Sequence, residues 1–297
     1  MKAGRAGIKQ PHSVADELFR TVVGIPRAPF LIGPGERMLC VGSCFADRIG
    51  RCLADDHFPV SVNPRGVMYN PASVLHTIEH LLLGQEGDGA NGEGPFSTAI
   101  LTFGTNHVYV EKSSGTIVDN CQKRPQHLFD ERELTVEECA GYMQHCVELL
   151  RQQNPDVRIV FTVSPIRYRK YGYHESQLSK ATLLLAADTL VKSPRYAGFL
   201  SYFPAYEILL DELRDYRFYA PDMIHPSDQA VSYIYRRFRE TYFSADASRY
   251  VAEWRPIREA LNHRPFDAES ADYQAFAAQT QAQLRAFEEK WRGVGSY

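Results

Sequence analysis

An α/β fold is what the sequence predicts, with a doubly wound, mainly parallel sheet and extra helices towards the C-terminus. Three observations predict it. Short apolar runs alternate with longer segments of helical spacing, as strands buried on both faces alternate with the helices that cover them. The first run ends in Gly42 and feeds a helical stretch, and the second is followed by a helix opened by Pro71. The chain has 297 residues, 44% apolar and 23% charged, enough for one large domain or two modest ones whose core needs no disulfide or metal staple.

The elements follow in order. Arg37-Met-Leu-Cys-Val-Gly42 reads as a strand, and Phe45, Ile49 and Leu53 make one stripe of the helix after it. His57 to Val62 is a second strand, closed by Asn63-Pro-Arg-Gly66 and Tyr69-Asn-Pro71, and Pro71 starts a helix running to Leu83. The glycine-rich stretch Gly84 to Pro95 cannot bury enough surface to order itself and is expected to be a mobile loop. Thr98 to Thr102 and Val108 to Glu111 are strand-like around the turn Gly104-Thr-Asn106, with a hairpin at Ser113-Ser-Gly115. Thr135-Val-Glu-Glu138 is a capping box opening an amphipathic helix to Gln153. Val157 to Val163 is the clearest buried strand, Glu175 to Lys192 a helix, and Phe199 to Phe203 a late strand ended by Pro204. Helices over Ser227 to Phe243, Arg249 to Leu261 and Ala271 to Trp291 complete the chain.

Composition excludes several classes of function. A net charge of -3 with interspersed signs offers no field for phosphates, so no nucleic-acid partner is expected. The most apolar stretch, Ala181 to Ala187, is interrupted by Asp188 and Lys192, so no membrane span is expected either. The N-terminus is basic but lacks an apolar core, and the six cysteines have no framework spacing. Both point to a cytoplasmic protein with reduced thiols.

In doubly wound sheets ligands bind beyond the carboxyl ends of the strands. Chemistry is therefore sought at four turns: Gly42 to Cys44, Asn63 to Gly66, Gly104 to Asn106, and Asp222 to His225. A nucleophile on a glycine-led strand-to-helix turn is exposed, and the helix N-terminus favours a thiolate or oxyanion there. Locally, Ser43 can equally be a helix cap and Cys44 a small buried residue. In Asp222-Met-Ile-His225 a carboxylate three residues before an imidazole can orient it and leave the other ring nitrogen as a general base. Gly66 and Asn106 are candidate oxyanion donors, through a backbone N–H and a side-chain amide.

Gly42-Ser-Cys-Phe-Ala46 resembles the signature of the GSCFA family. The order of a glycine-led nucleophile turn, a glycine, Gly-x-Asn and a late Asp-x-x-His resembles the blocks of the wider SGNH/GDSL hydrolase superfamily. The resemblance runs from about Leu31 to Phe243 and takes in Asn63-Pro-Arg-Gly66, Tyr69-Asn-Pro71, Asn120-Cys-Gln-Lys123, Ser164-Pro-Ile-Arg167, Ser179-Lys180 and Tyr202-Phe-Pro-Ala-Tyr-Glu207. It implies a three-layer α/β/α domain and acyl-transfer chemistry: ester or thioester hydrolysis, or transfer of an acyl group to an acceptor. His225 is then the base, Asp222 its orienter, and Gly66 and Asn106 the oxyanion donors. The superfamily turn reads Gly-Asp-Ser; laid on this sequence without a gap it puts Cys44 at the nucleophile position, with Ser43 the second candidate.

Other residues have bland readings. Glu207 is expected to hold Arg167 or Lys180 in an ion pair, His107 and His127 to be ordinary polar residues, and Cys139 and Cys146 to pack a core. Tyr168, Tyr171 and Tyr173 are expected in a solvated loop, with carbohydrate binding as the functional alternative. The implied division is an N-terminal extension (1–30), a catalytic domain (31–245) and a C-terminal helical extension (246–297). No cofactor or metal is called for, and the expected partners are a small-molecule or carbohydrate acyl acceptor and an acyl-thioester donor. Two other readings stand beside the enzyme: a binding module that has kept the fold without catalysis, and an interaction protein using the C-terminal helices.

Overall fold

The computed structural model describes residues 20–82, 95–121, 123–267 and 269–292. The glycine-rich stretch and most of the N-terminal extension thus lie outside the described residues. The strands are β1 (Met38–Gly42), β2 (Val60–Val62), β3 (Thr98–Phe103), β4 (His107–Glu111), β5 (Ile117–Val118), β6 (Phe129–Glu133), β7 (Arg158–Val163) and β8 (Leu200–Tyr202). The longer helices are α1 (Cys44–Asp55), α2 (Pro71–Leu82), α3 (Val136–Gln153), α4 (Tyr173–Val191), α5 (Asp228–Tyr242), α6 (Ala245–Leu261) and α7 (Ala271–Trp291).

Five strands form an all-parallel sheet in the order β2-β1-β3-β7-β8. Because successive strand residues face opposite sides, each strand feeds two cores. Leu39, Val41, Leu101 and Phe161 face α2, α3 and α4 through Ile78, Met143, Val147 and Leu183. Met38, Cys40, Ile100 and Val160 face the other way, against Phe45 and Leu53 of α1, Phe238 and Tyr242 of α5, and Trp254 of α6. This is a three-layer α/β/α fold, with its order reversing between β1 and β3, where such sheets open a crevice.

The helices start where the sequence placed caps. Thr135 and Glu138 close their capping box at α3, and Ser227 caps α5. Helix α6 begins four residues earlier than the sequence suggests, because Ser244 caps it, and it continues through Pro256. The hairpin expected at Ser113-Ser-Gly115 forms as β4 and β5, while its third strand and one helical stretch were not foreseen. A three-stranded antiparallel sheet, β5-β4-β6, is completed by the highly charged β6, and a turn of α-helix (Ala205–Glu207) runs into a π-helical stretch (Ile208–Leu213).

The C-terminal helices dock on the second core. Trp254 donates its indole N–H to the Asp55 carbonyl at 2.8 Å, and Tyr250 its hydroxyl to the His57 carbonyl at 2.7 Å. The His57 ring stacks on Trp254 at 3.9 Å, and Phe287 of α7 lies against both. Among the described residues no helix is long and apolar enough to cross a membrane.

Candidate active site

Gly42 makes the first turn possible. Its φ is +141°, and a Cβ there would sit 2.0 Å from the Thr102 carbonyl oxygen, so only glycine lets β1 turn into α1 beside β3. Ser43 follows in extended conformation as the N-cap: its hydroxyl accepts from the Phe45 N–H at 3.2 Å and donates to Ser164 Oγ at 2.9 Å. It is fully buried. Cys44, the first helical residue, is half-buried and opens onto a cavity of about 370 Å³.

Asp222 and His225 stand on the same cavity. Asp222 Oδ1 accepts the backbone N–H groups of Ile224 (2.8 Å) and His225 (3.0 Å), while Oδ2 meets His225 Nδ1 at 2.6 Å. One carboxylate therefore folds the loop and orients the ring. Those three hydrogen bonds, the backbone one to His225 foremost, hold the carboxyl down at about 2. Met223, in left-handed conformation at φ +58°, makes the sharp bend between them. With Nδ1 committed to the carboxylate, Nε2 is the ring atom left for proton transfer.

Gly66 and Asn106 are placed elsewhere, and neither lines this cavity. The Gly66 N–H is spent on the Asn63 carbonyl at 2.8 Å, closing a turn. Asn106 is buried, its side-chain N–H donating to the Leu134 carbonyl at 2.8 Å. These blocks brace the site instead. Asn63 Oδ1 accepts the Gly42 N–H at 2.8 Å, and the Tyr69 carbonyl accepts the N–H groups of Gly104 and Thr105 at 2.8 and 2.9 Å.

That bracing positions a group the motif reading did not use for chemistry. The Tyr69 hydroxyl lies 3.5 Å from Cys44 Sγ. Burial, with the hydrogen bond to Cys44, pushes the phenol up to about 12, so it is neutral at physiological pH and has a proton to donate.

The remaining candidates fall into structural roles. Glu207 does not hold Arg167 or Lys180: its carboxylate accepts from the Tyr202 hydroxyl at 2.9 and 3.1 Å. His107 stacks on Tyr171 with ring centroids 3.8 Å apart, His127 is exposed on a short 3₁₀ turn, and Cys139 and Cys146 are core residues. All six cysteines are free, and among the described residues no group of three His, Cys, Asp or Glu side chains is placed to hold a metal. Tyr168 is half-buried rather than solvated, packed edge-on against Tyr69 at 5.8 Å, with Tyr171 stacked on it at 6.0 Å.

Comparison with known proteins rests on the same segments. The model of the GSCFA family matches residues 37–91 and 95–238, from β1 through nearly all of α5. The chain belongs to the GSCFA family. A second model, that of the GSCFA domain protein C-terminal domain, matches residues 254–294, so the docked α6–α7 region is part of the GSCFA pattern too. No curated protein matches the sequence. Solved structures are distant. A carbohydrate esterase family 3 protein from Talaromyces cellulolyticus is 9% identical, covering 68% of this chain and 94% of that one at a TM-score of 0.38. The acetyl xylan esterase Est2A from Butyrivibrio proteoclasticus is 10% identical, covering 71% and 64%, at a TM-score of 0.37. A protein from Streptococcus pneumonia is 14% identical, covering 70% and 84%, at a TM-score of 0.42.

Proposed function

We propose that this GSCFA protein is an acyl-transfer enzyme working through a covalent acyl-enzyme on Cys44. The observation that carries the reading is that Cys44 and the Asp222–His225 pair line one cavity beside the β1/β3 switch point. In the first half-reaction His225 Nε2 takes the thiol proton as Cys44 Sγ adds to the acyl carbonyl carbon, and returns it to the departing alkoxide or thiolate as the carbon–leaving-group bond breaks. In the second, His225 deprotonates water or an acceptor hydroxyl, whose oxygen displaces Cys44 from the thioester. Asp222 stays ionised throughout and stabilises the imidazolium.

The oxyanion needs donors, and two are at hand. The Cys44 backbone N–H, as the first of a helix, has no intrahelical acceptor, and the Tyr69 hydroxyl lies 3.5 Å from the sulfur. Buried and hydrogen-bonded to Ser164, Ser43 serves as cap rather than nucleophile. A carbohydrate or other small hydroxyl compound as acceptor and an acyl thioester as donor fit this chemistry, and the six free thiols suit the cytoplasm.

Intact-mass measurement after incubation with aryl esters and acyl thioesters tests it. The wild type is expected to gain one acyl group, and Cys44→Ala and His225→Ala none. An undiminished adduct on Cys44→Ala removes Cys44 from the role.

A further inference from the structure

Beside the cavity of Cys44 lies a larger one of about 560 Å³, within the size range of small-molecule sites. The two share Ile166 and Tyr219 as walls. Lys180 lines the larger cavity from α4, yet it is only 2% exposed. Its ammonium donates to the Gly104 carbonyl at 2.5 Å, and among the described residues no carboxylate pairs with it. A buried ammonium without a counter-charge is costly, and burial alone pulls this one down to about 7.

Arg167 lines the same cavity. Its guanidinium is clamped between the rings of Tyr173 (4.3 Å) and Tyr219 (5.1 Å), and among the described residues that group's one hydrogen bond goes to the Met223 carbonyl at 3.2 Å. The rest of its guanidinium fork is unspent. Arg214 adds a third cation and Asp215 one anion, so the lining is net positive. Tyr173 and Tyr206 line it with aromatic side chains, an apolar body with a polar tip that suits the mixed C–H and hydroxyl surface of a sugar.

We propose that this cavity binds the anionic group, a carboxylate or a phosphate, of an acidic sugar, held between Lys180 and Arg167. The ligand supplies the counter-charge that Lys180 lacks. Because Arg167 also bonds Met223, inside the Asp222–His225 loop, the bound anion abuts the catalytic pair. The link to catalysis rests on the acyl-transfer reading above; the binding does not.

Calorimetry on the full chain at neutral pH, with galacturonate, galactose 6-phosphate and galactose as probes, tests the site. One or both anionic sugars are expected to bind at least tenfold tighter than galactose, and whichever binds identifies the charge as carboxylate or phosphate. Lys180→Met is expected to weaken that binding at least tenfold. Arg167→Gln, at a half-buried position, is expected to do the same and covers the case in which Lys180→Met fails to fold. Equal affinity for galactose, no binding of either anion, or wild-type affinity in a folded Lys180→Met or Arg167→Gln overturns the proposal. Anion binding without an acyl adduct on Cys44 overturns the acyl-transfer reading and leaves this site standing; an adduct without anion binding does the reverse.

Discussion

Ser43 Oγ donates a hydrogen bond to Ser164 Oγ at 2.9 Å, and both serines are fully buried. The contact ties the cap of α1 to the end of β7, and it supports the proposal of Cys44 over Ser43 as nucleophile. Ser43 accepts from the helix and donates its proton to Ser164, while Cys44 faces the cavity. Ser43→Ala is therefore expected to lower stability by about 1–2 kcal/mol, the usual cost of a lost cap plus a buried hydroxyl left unpaired, while keeping the acyl adduct. Chemical denaturation and intact mass measured on the same sample check both halves.

Removing the Asp222 charge separates orientation from folding. Asp222→Asn is expected to lower the acylation rate by about two to four orders of magnitude, because the amide no longer stabilises the imidazolium or selects the tautomer. The pH profile carries a further expectation. Asp222 is held at about 2 against an ordinary 3.8, so its stabilising effect is present above the ordinary value and lost only as pH falls towards 2. The acid limb of the wild-type rate profile above pH 4 thus belongs to another group, and a limb that tracks Asp222 ionisation there contradicts the assignment.

How much of this was legible beforehand depended on how local each feature is. The Gly42 turn and the Asp222–His225 pair are set within a few residues, and both were readable from spacing. An oxyanion donor is defined by distances between turns that are far apart in sequence, which is why spacing could not show that Gly66 and Asn106 stand off the Cys44 cavity with hydrogen bonds to Asn63 and Leu134. Tyr69 was visible only as part of a motif, since nothing in Tyr69-Asn-Pro71 shows that its hydroxyl reaches Cys44, 25 residues away. Strand β6 was missed because Phe129-Asp-Glu-Arg-Glu133 buries one residue and otherwise exposes charges, leaving no apolar signal. Lys180 read as a candidate ion-pair partner of Glu207, and that its ammonium is buried on the Gly104 carbonyl instead needs the third dimension.

Tyr69→Phe removes one hydroxyl at the nucleophile. With the Cys44 N–H still present, the acylation rate is expected to fall about 10- to 100-fold with little change in stability, below the loss typical of a sole oxyanion donor. Since the phenol stays protonated to about pH 12, its donor role adds no basic limb to the rate profile in the physiological range. Single-turnover kinetics from pH 6 to 10 on both proteins test this. A Tyr69→Phe enzyme with the wild-type rate removes the donor.

Lys180 makes stability depend on pH in a predictable direction. Its folded value of about 7 lies below the 10.5 of a free lysine, so between these values the unfolded chain binds a proton that the folded chain does not. The cost of burying Lys180 is therefore relieved as pH rises. Lys180→Met, which cannot titrate, is expected to gain stability relative to wild type at pH 7, and the gap should shift in favour of wild type by pH 9.5. Paired melting curves at the two pH values measure that shift, and a gap independent of pH refutes it.

His57 gives the same test at the docked C-terminal helices. Burial against Trp254 lowers its value below the ordinary 6.5, so the neutral ring is favoured in the fold and the charged ring in the unfolded chain. Its effect on stability is fully present above 6.5 and is lost as pH falls through the folded value. His76, raised by Asp119, acts with opposite sign over a similar range, so the wild-type curve alone does not isolate His57. His57→Asn does, because asparagine tolerates the φ of +68° at this position and does not titrate. The wild type is expected to lose stability relative to His57→Asn between pH 7.5 and 5. Trp254→Ala, which removes the stacking partner and an indole bond to Asp55, should cost about 3–5 kcal/mol and weaken that pH dependence. If Trp254→Ala leaves the pH dependence intact, the shift at His57 does not come from the docking of α6.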